Sequence, residues 1–245
     1  MRTCLIVNHQ GAKTRTWGLA AAQPCIMDDP TLAATPTLLL DVAERLFAEN
    51  GIDKVSLREI VRASGQSNLS AAHYHFGSRE ALVAAVIDRR VRVINTLRHA
   101  HLDQLEASGS DRHVHTVILA MLGVLGDVVK TRAWGPDYVR LLAQALFSPQ
   151  FHIREMIDPQ TISSHARLTR MLRRLLPDLP TRVFNDRFAV LESETAYSIA
   201  RWVQSNGPVT ATKTRSYSMM ISNTVDFLAA GIAAPIGGPK ADGGP

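Results

Sequence analysis

Between residues 31 and 80 the chain sets two short amphipathic patterns and a glycine turn ahead of a third segment that no ordinary core helix explains. The first pattern opens at Thr35-Pro36, an N-cap followed by proline at the first helical position, where its missing N–H costs nothing. Leu39, Val42, Ala43, Leu46 and Phe47 recur at offsets of three and four and so share one face, while Asp41, Glu44, Arg45 and Glu49 point elsewhere. Asn50-Gly51 ends that helix. Val55-Ser56-Leu57-Arg58-Glu59-Ile60 opens the second with a capping box, Ser56 serving the Glu59 amide and Glu59 reaching back. Leu57, Ile60 and Val61 form its buried side before Ala63-Ser64-Gly65 breaks it at a tight turn, and two helices so joined fit a helix-turn-helix.

The third segment, Gln66 to His75, is short, rich in small and hydrogen-bonding side chains, and holds a single large aliphatic residue, Leu69. Something other than burial selects such residues. Gln66 and Asn68 are side chains that read adenine edges, Ser67 and Ser70 bond base edges or phosphates, and Ala71 and Ala72 can sit against a thymine methyl. Tyr74, His73 and His75 suit phosphate oxygens. A polar surface turn with an incidental aromatic pair is the plain alternative, but Ser78-Arg79-Glu80 at once caps another helix, setting its positive end and Arg79 beside the same surface.

Residues of about 35 to 82 resemble the N-terminal domain of the TetR family of bacterial transcriptional regulators, on the segments Leu46 to Gly51, Ser56 to Ile60 and, most of all, Tyr74-His75-Phe76-Gly77-Ser78-Arg79-Glu80-Ala81-Leu82. The resemblance implies phosphate contacts from Ser56, from Tyr74 or His75 and from Arg79, base readout from Gln66 to His73, and an anchoring role for Phe76. The set expected to face DNA is therefore Ser56, Arg58, Gln66, Ser67, Asn68, Ser70, Ala71, His73, Tyr74, His75 and Arg79. Gly65 to Phe76 takes eleven steps where the family usually takes ten, so the turn or the recognition helix holds an extra residue, which resembles a subgroup reading Gly-Gln-x-Asn-x-Ser-Ala. Ala72 stands where a larger aliphatic residue is usual, and Arg79 replaces a commoner lysine.

The net charge of +5 does not mark this head. Residues 31 to 80 carry five Lys/Arg against six Asp/Glu, so affinity for DNA should rest on a few placed donors, helix N-termini and dimerisation instead of a broad basic patch. With 245 residues and 46% hydrophobic content, the chain can bury a second, larger core. No run of about eighteen uninterrupted apolar residues suggests a membrane span, and a cytoplasmic protein without a membrane partner is expected. The only cysteines, Cys4 and Cys25, argue against a disulfide scaffold or thiolate zinc site. Residues 1 to 30 lack periodicity and read as a disordered arm, with Met27 a possible true start and Lys13 and Arg15 a possible minor-groove arm.

From Ala81 the helical period continues, so the fold class is all-α: a three-helix head, 31–80, followed by a helical effector-binding and dimerisation domain, 81–232, and a disordered tail, 233–245. Expected helices run from Ala81 to about Ala107, along Val114 to Val129, from Gly135-Pro136, from a Ser148-Pro149 cap, over Ile162 to Leu176, over Val183 to Asn206 and over about Thr212 to Ala230. Phe184, Phe188, Leu191, Thr195, Ile199 and Trp202 share one side of the penultimate helix, and the last carries Tyr217, Met220, Ile221, Thr224, Val225 and Leu228. Periodicity leaves open whether those faces pack internally or on a second copy; the resemblance implies a four-helix homodimer interface from them. Met121, Trp134, Tyr138, Arg140 and Phe147 are either plain core or the lining of an effector cavity of the kind the family holds there.

The pairs His73/His75, His99/His101 and His113/His115 point about 200° apart on a helix, against chelation, and no metal or other cofactor is expected. No phosphate loop, nucleophile elbow or helical His-Glu-x-x-His signals catalysis. The expectation is a homodimeric repressor on double-stranded DNA, released from a roughly palindromic operator by an unknown small-molecule effector. An activator, an effector-independent regulator and a protein-interaction adaptor on the same scaffold are the alternatives.

Overall fold

A computed structural model describes residues 30–66, 69–148, 151 and 157–236, and among these the chain is helical throughout, without strands. The head comprises α1 (Pro30–Asn50), α2 (Leu57–Ala63) and α3 (Leu69–Phe76). The body comprises α4 (Arg79–Ser108), α5 (Val114–Thr131), α6 (Gly135–Phe147), α7 (Ser163–Leu175), α8 (Thr181–Asn206) and α9 (Thr214–Ala233). The N-terminal arm, the Pro149 end of the expected Ser148-Pro149 cap and the end of the tail lie outside the described residues.

Helix α1 begins at Pro30, upstream of the expected Thr35-Pro36 start; a second proline takes the first helical position there. The other boundaries fall within a few residues of their sequence signals. Ser56 accepts the Glu59 amide at 3.2 Å while the Glu59 carboxylate accepts the Ser56 amide at 2.8 Å, so the capping box starts α2. Gly65, at φ 71°, ends it: the Gly65 amide donates to the Arg62 carbonyl and the Gln66 amide to the Val61 carbonyl, both at 3.1 Å. This paired closure turns the chain sharply and needs a residue at ease in the left-handed region.

Helix α5 has the length and mean hydropathy of a membrane span even though Asp127 and Lys130 interrupt its apolar run. Its setting accounts for that composition, since Val117, Ile118, Met121, Leu122, Leu125, Val128 and Val129 are buried where α5 packs against α4, α6, α7, α8 and α9. Gly135 makes one of these contacts possible. A Cβ there would lie 2.5 Å from the Val128 carbonyl oxygen and 2.6 Å from the Val129 Cα, so only a hydrogen lets α6 start this close to the end of α5.

The late helices correct the expected dimer face. Phe184, Phe188, Leu191, Thr195 and Ile199 are all buried inside one subunit, as are Tyr217 and Leu228. The Tyr217 hydroxyl donates to the Gly126 carbonyl at 3.0 Å, and Trp202 stacks edgewise on Tyr217 at 4.8 Å, so these residues seal α8 and α9 against the body. Met220, Ile221 and Thr224 are half-buried in the same packing. Outward instead stand Val190 and Tyr197 on α8, with Met219 and Phe227 on α9, Phe227 at 72% exposure.

Substituting Gly135→Ala should therefore destabilise the body by roughly 2–3 kcal/mol through overpacking against backbone. Urea unfolding of the variant beside the parent protein measures this, and an unchanged midpoint would contradict the close approach.

Candidate nucleic-acid interface and effector cavity

The third helix divides its residues between the head and the outside. Ala72 is buried, Leu69 and Phe76 pack half-buried on the core, and Ser70 and His73 are exposed. Ala72 thus serves packing and not readout, and its small size matches its 1% exposure. The His73 ring nitrogen Nδ1 lies 3.3 Å from the Gly77 carbonyl oxygen. Arg58 and Ser56 are exposed on α2, and Gln66 is half-buried at the turn. Ser67, Asn68 and the side chains of Ala71, Tyr74 and His75 lie outside the described residues.

Two of the expected phosphate ligands already have structural duties. The Ser56 hydroxyl is engaged in the capping box, and the Ser56 backbone amide holds the Glu59 carboxyl below its ordinary range. Arg79 donates to the Asp53 carbonyl at 3.0 Å and lies 3.7 Å from the Asp53 carboxylate and 3.4 Å from that of Glu80. It ties the link after α1 to the start of α4, where Ser78 caps the Ala81 amide at 3.1 Å. These contacts leave the Arg79 side chain mostly covered.

The head joins the body through a charged knot that periodicity points away from. Glu44, expected off the apolar face of α1, is instead only 2% exposed beneath α4. Arg90 Nε reaches both carboxylate oxygens of Glu44 at 3.0 Å, and Arg89 lies 3.3 Å from Glu44 and 2.7 Å from Asp41. Burial pushes the Glu44 carboxyl above the ordinary carboxylate range, while the hydrogen bonds and charge of Arg90 pull it back. Trp134 belongs to this joint, its ring lying 4.4 Å from the Arg90 guanidinium carbon and edge-on to Tyr138. A second tie comes from α6: Gln144 donates to the Phe47 carbonyl at 3.3 Å and accepts the Ile52 amide at 3.0 Å, bracketing the end of α1.

Inside the body, helices α4 to α8 line a partly open cavity of about 380 Å³. Ile87, Val91 and Ile94 of α4, with Leu125, Leu142 and Phe188, give it apolar walls. Met121 and Tyr138, two of the five candidate effector-site residues, line it. The other three stand elsewhere: Trp134 in the joint, Arg140 paired with Asp137 at 2.7 Å, and Phe147 exposed against Tyr197. Polar groups on the wall are Arg98, the Tyr138 phenol, Thr169, Thr195 and the pair His165–Glu192, whose Nδ1 and carboxylate are 3.0 Å apart. Arg98 escapes a periodicity search because it is charged, yet its place after Ile87, Val91 and Ile94 on one stripe is legible. Among the described residues no group of three or more His, Cys, Asp or Glu is placed to hold a metal ion.

A helix-turn-helix head locked to a helical body with a largely apolar cavity is the architecture of a DNA-binding transcriptional regulator. Residues 39–86 match the family described as bacterial regulatory proteins, tetR family, and residues 120–231 match the tetracyclin repressor-like C-terminal domain, so the chain belongs to the TetR family. Solved structures agree in fold. The fatty acid degradation regulator FadR from Bacillus halodurans is 12% identical, with a TM-score of 0.55 over 80% of this chain and 98% of its own. FadR from Bacillus subtilis, in complex with stearoyl-CoA, is 11% identical at a TM-score of 0.54 over the same shares. A Saccharomonospora viridis protein in complex with choline is 17% identical at 0.51, over 80% of this chain and 96% of its own. No match was found among curated proteins.

Replacing Glu44 by Ala should lower stability by roughly 2–3 kcal/mol, because two guanidinium groups lose their shared buried anion. Equilibrium denaturation reads the loss directly; a change below about 0.5 kcal/mol, the level of an ordinary surface substitution, would show that the knot does not hold the head.

Proposed function

We propose that the protein is a non-enzymatic, cytoplasmic repressor that binds a roughly palindromic operator as a homodimer and is released by a small molecule held in the body cavity. The observation that carries the reading is α3, which leaves Ser70 and His73 outward while Leu69 and Ala72 face the core. A helix with so little to bury and so much hydrogen-bonding capacity is suited to the major groove. In this reading residues 31–80 form the DNA-binding unit and 81–232 the effector and dimerisation unit. Gln66, Ser67, Asn68, Ser70, Ala71 and His73 face bases, and Tyr74, His75, Ser56, Arg58 and the N-terminus of α4 face phosphates.

Dimerisation is assigned to the outer sides of α8 and α9, where Val190, Tyr197, Met219 and Phe227 are exposed apolar or aromatic residues on adjoining helices. Pairing there through a twofold axis would present two recognition helices, separated by about 34–36 Å for successive major grooves. Effector control follows from α4 and α6, each of which lines the cavity and packs on α1. A ligand that favours one arrangement of these helices shifts the spacing of the heads by its differential affinity alone. Proteins of this fold solved with stearoyl-CoA and with choline are consistent with a body that accepts organic ligands of varied chemistry.

An electrophoretic mobility shift on the DNA upstream of the protein's own coding sequence tests the reading. Affinity should fall steeply as salt is raised, and Tyr74→Phe should weaken binding about tenfold, near 1.4 kcal/mol. Binding insensitive both to salt and to that substitution would count against the reading, and no shift at any salt concentration would favour a protein-interaction adaptor that has lost DNA affinity.

A further inference from the structure

We propose that the body cavity is built for a hydrophobic carboxylic acid, whose carboxylate pairs with the buried guanidinium of Arg98. The inference deepens the effector reading above and rests on it only for the consequence of binding, not for binding itself.

Arg98 lies 4% exposed in the middle of α4, on the stripe of Ile87, Val91 and Ile94 that forms the cavity wall. Its contacts are with neutral acceptors and are long: Nη1 to the Ser164 hydroxyl at 3.3 Å and Nη2 to the Met121 carbonyl at 3.5 Å. Its Nε has no hydrogen-bond partner. Among the described residues, Arg89, Arg90 and Arg167, also largely covered, are matched with carboxylates, Arg89 and Arg90 with Asp41 and Glu44, and Arg167 with Asp103 and Glu106, whereas the partly covered Arg173 and Arg187 are held by backbone carbonyls. Among the described residues no carboxylate lies within ion-pair distance of Arg98, and Glu192, the acidic group on the same wall, is held by His165. Burial pushes the Arg98 pKa down to about 10, so the group keeps its charge at neutral pH. A buried charge is ordinarily paired, and here the missing partner is an anion.

The rest of the wall specifies what carries that anion. Apolar residues dominate, so the body of the ligand is hydrophobic. One guanidinium with an acidic group on the same wall suits a monoanion over a phosphate dianion. Tyr138, whose phenol is buried and kept protonated by that burial, has no hydrogen-bond partner among the described residues and offers a second donor for the carboxylate. An arginine with a purely structural role, tying α4 to α5 and α7, would not discriminate an acid from its ester.

Calorimetric titration of the full chain, without DNA, tests the assignment. The probes are the alkanoates from hexanoate to dodecanoate, phenylbutyrate, methyl decanoate and the decanoyl thioester of coenzyme A. Saturable binding of at least one acid is expected, with decanoate at least about tenfold tighter than its methyl ester. Arg98→Met should weaken the acid by roughly thirtyfold or more, without lowering the thermal midpoint of the ligand-free protein, and Arg98→Lys should restore most of the affinity. The proposal is overturned if no acid binds, if acid and ester bind alike, if the thioester binds and the acids do not, or if Arg98→Met leaves acid binding unchanged. Should Arg98→Met fail to fold, the contrast between acid and ester on the unaltered protein is decisive by itself. Acid binding by a protein that fails to shift DNA would sustain this inference and remove the repressor reading; the reverse result would do the opposite.

Discussion

The buried carboxylate of Glu44 is the contact on which the geometry of the molecule turns. An apolar patch between α1 and α4 would hold the head on the body but let it slide, because dispersion and burial are not directional. A carboxylate taken by Arg90 through both its oxygens, with Arg89 and Asp41 completing the knot, fixes register and angle together. Such a pair gains little net stability after desolvation, so its value lies in specifying one orientation. Gln144 adds a neutral lock by using both ends of its amide on the backbone at the close of α1.

Those locks come from α4 and α6, and the same two helices wall the cavity. Arg90 and Arg98 lie about two turns apart on α4, one facing the head and the other the cavity. In the proposed effector mechanism, a molecule that repositions the second would move the first without any long relay of side chains. Trp134 sits in the same joint, in contact with Arg90 and in a T-shaped pair with Tyr138 of the cavity wall. The coupling needs a ligand that distinguishes two arrangements of α4 and α6; tight binding alone would transmit nothing.

Much of this is legible in the chain of residues alone. The Ser56/Glu59 box, the Gly65 stop, the Ser78 cap and the apolar stripe of α5 are short-range features, each decided by residues within a turn or two, and the helices lie close to where those signals fall. Less legible is anything that depends on which side of a helix finds a neighbour. Phe184, Phe188, Leu191, Thr195 and Ile199 do share one face, as their spacing says, but their burial within the subunit leaves Val190 and Tyr197 for any second copy. The charge of Glu44 argues for an outward place, and the arginines that bury it lie forty-five and forty-six residues away. Of the candidate cavity residues, Met121 and Tyr138 line it, while the larger and more conspicuous Trp134 and Phe147 are drawn to the joint and the surface.

By itself, then, the order of residues determined the helical class, the helix-turn-helix with its polar third helix, and the family, since these follow from local periodicity, capping and turn chemistry. Tertiary structure alone decided that Glu44 is a joint, that Arg79 braces the head through Asp53, and that Arg98 faces an apolar cavity with no acidic partner among the described residues. Each of those facts is a meeting of residues distant in the chain. No rule of spacing contains such meetings; they exist only once hydrophobic burial has brought the helices together.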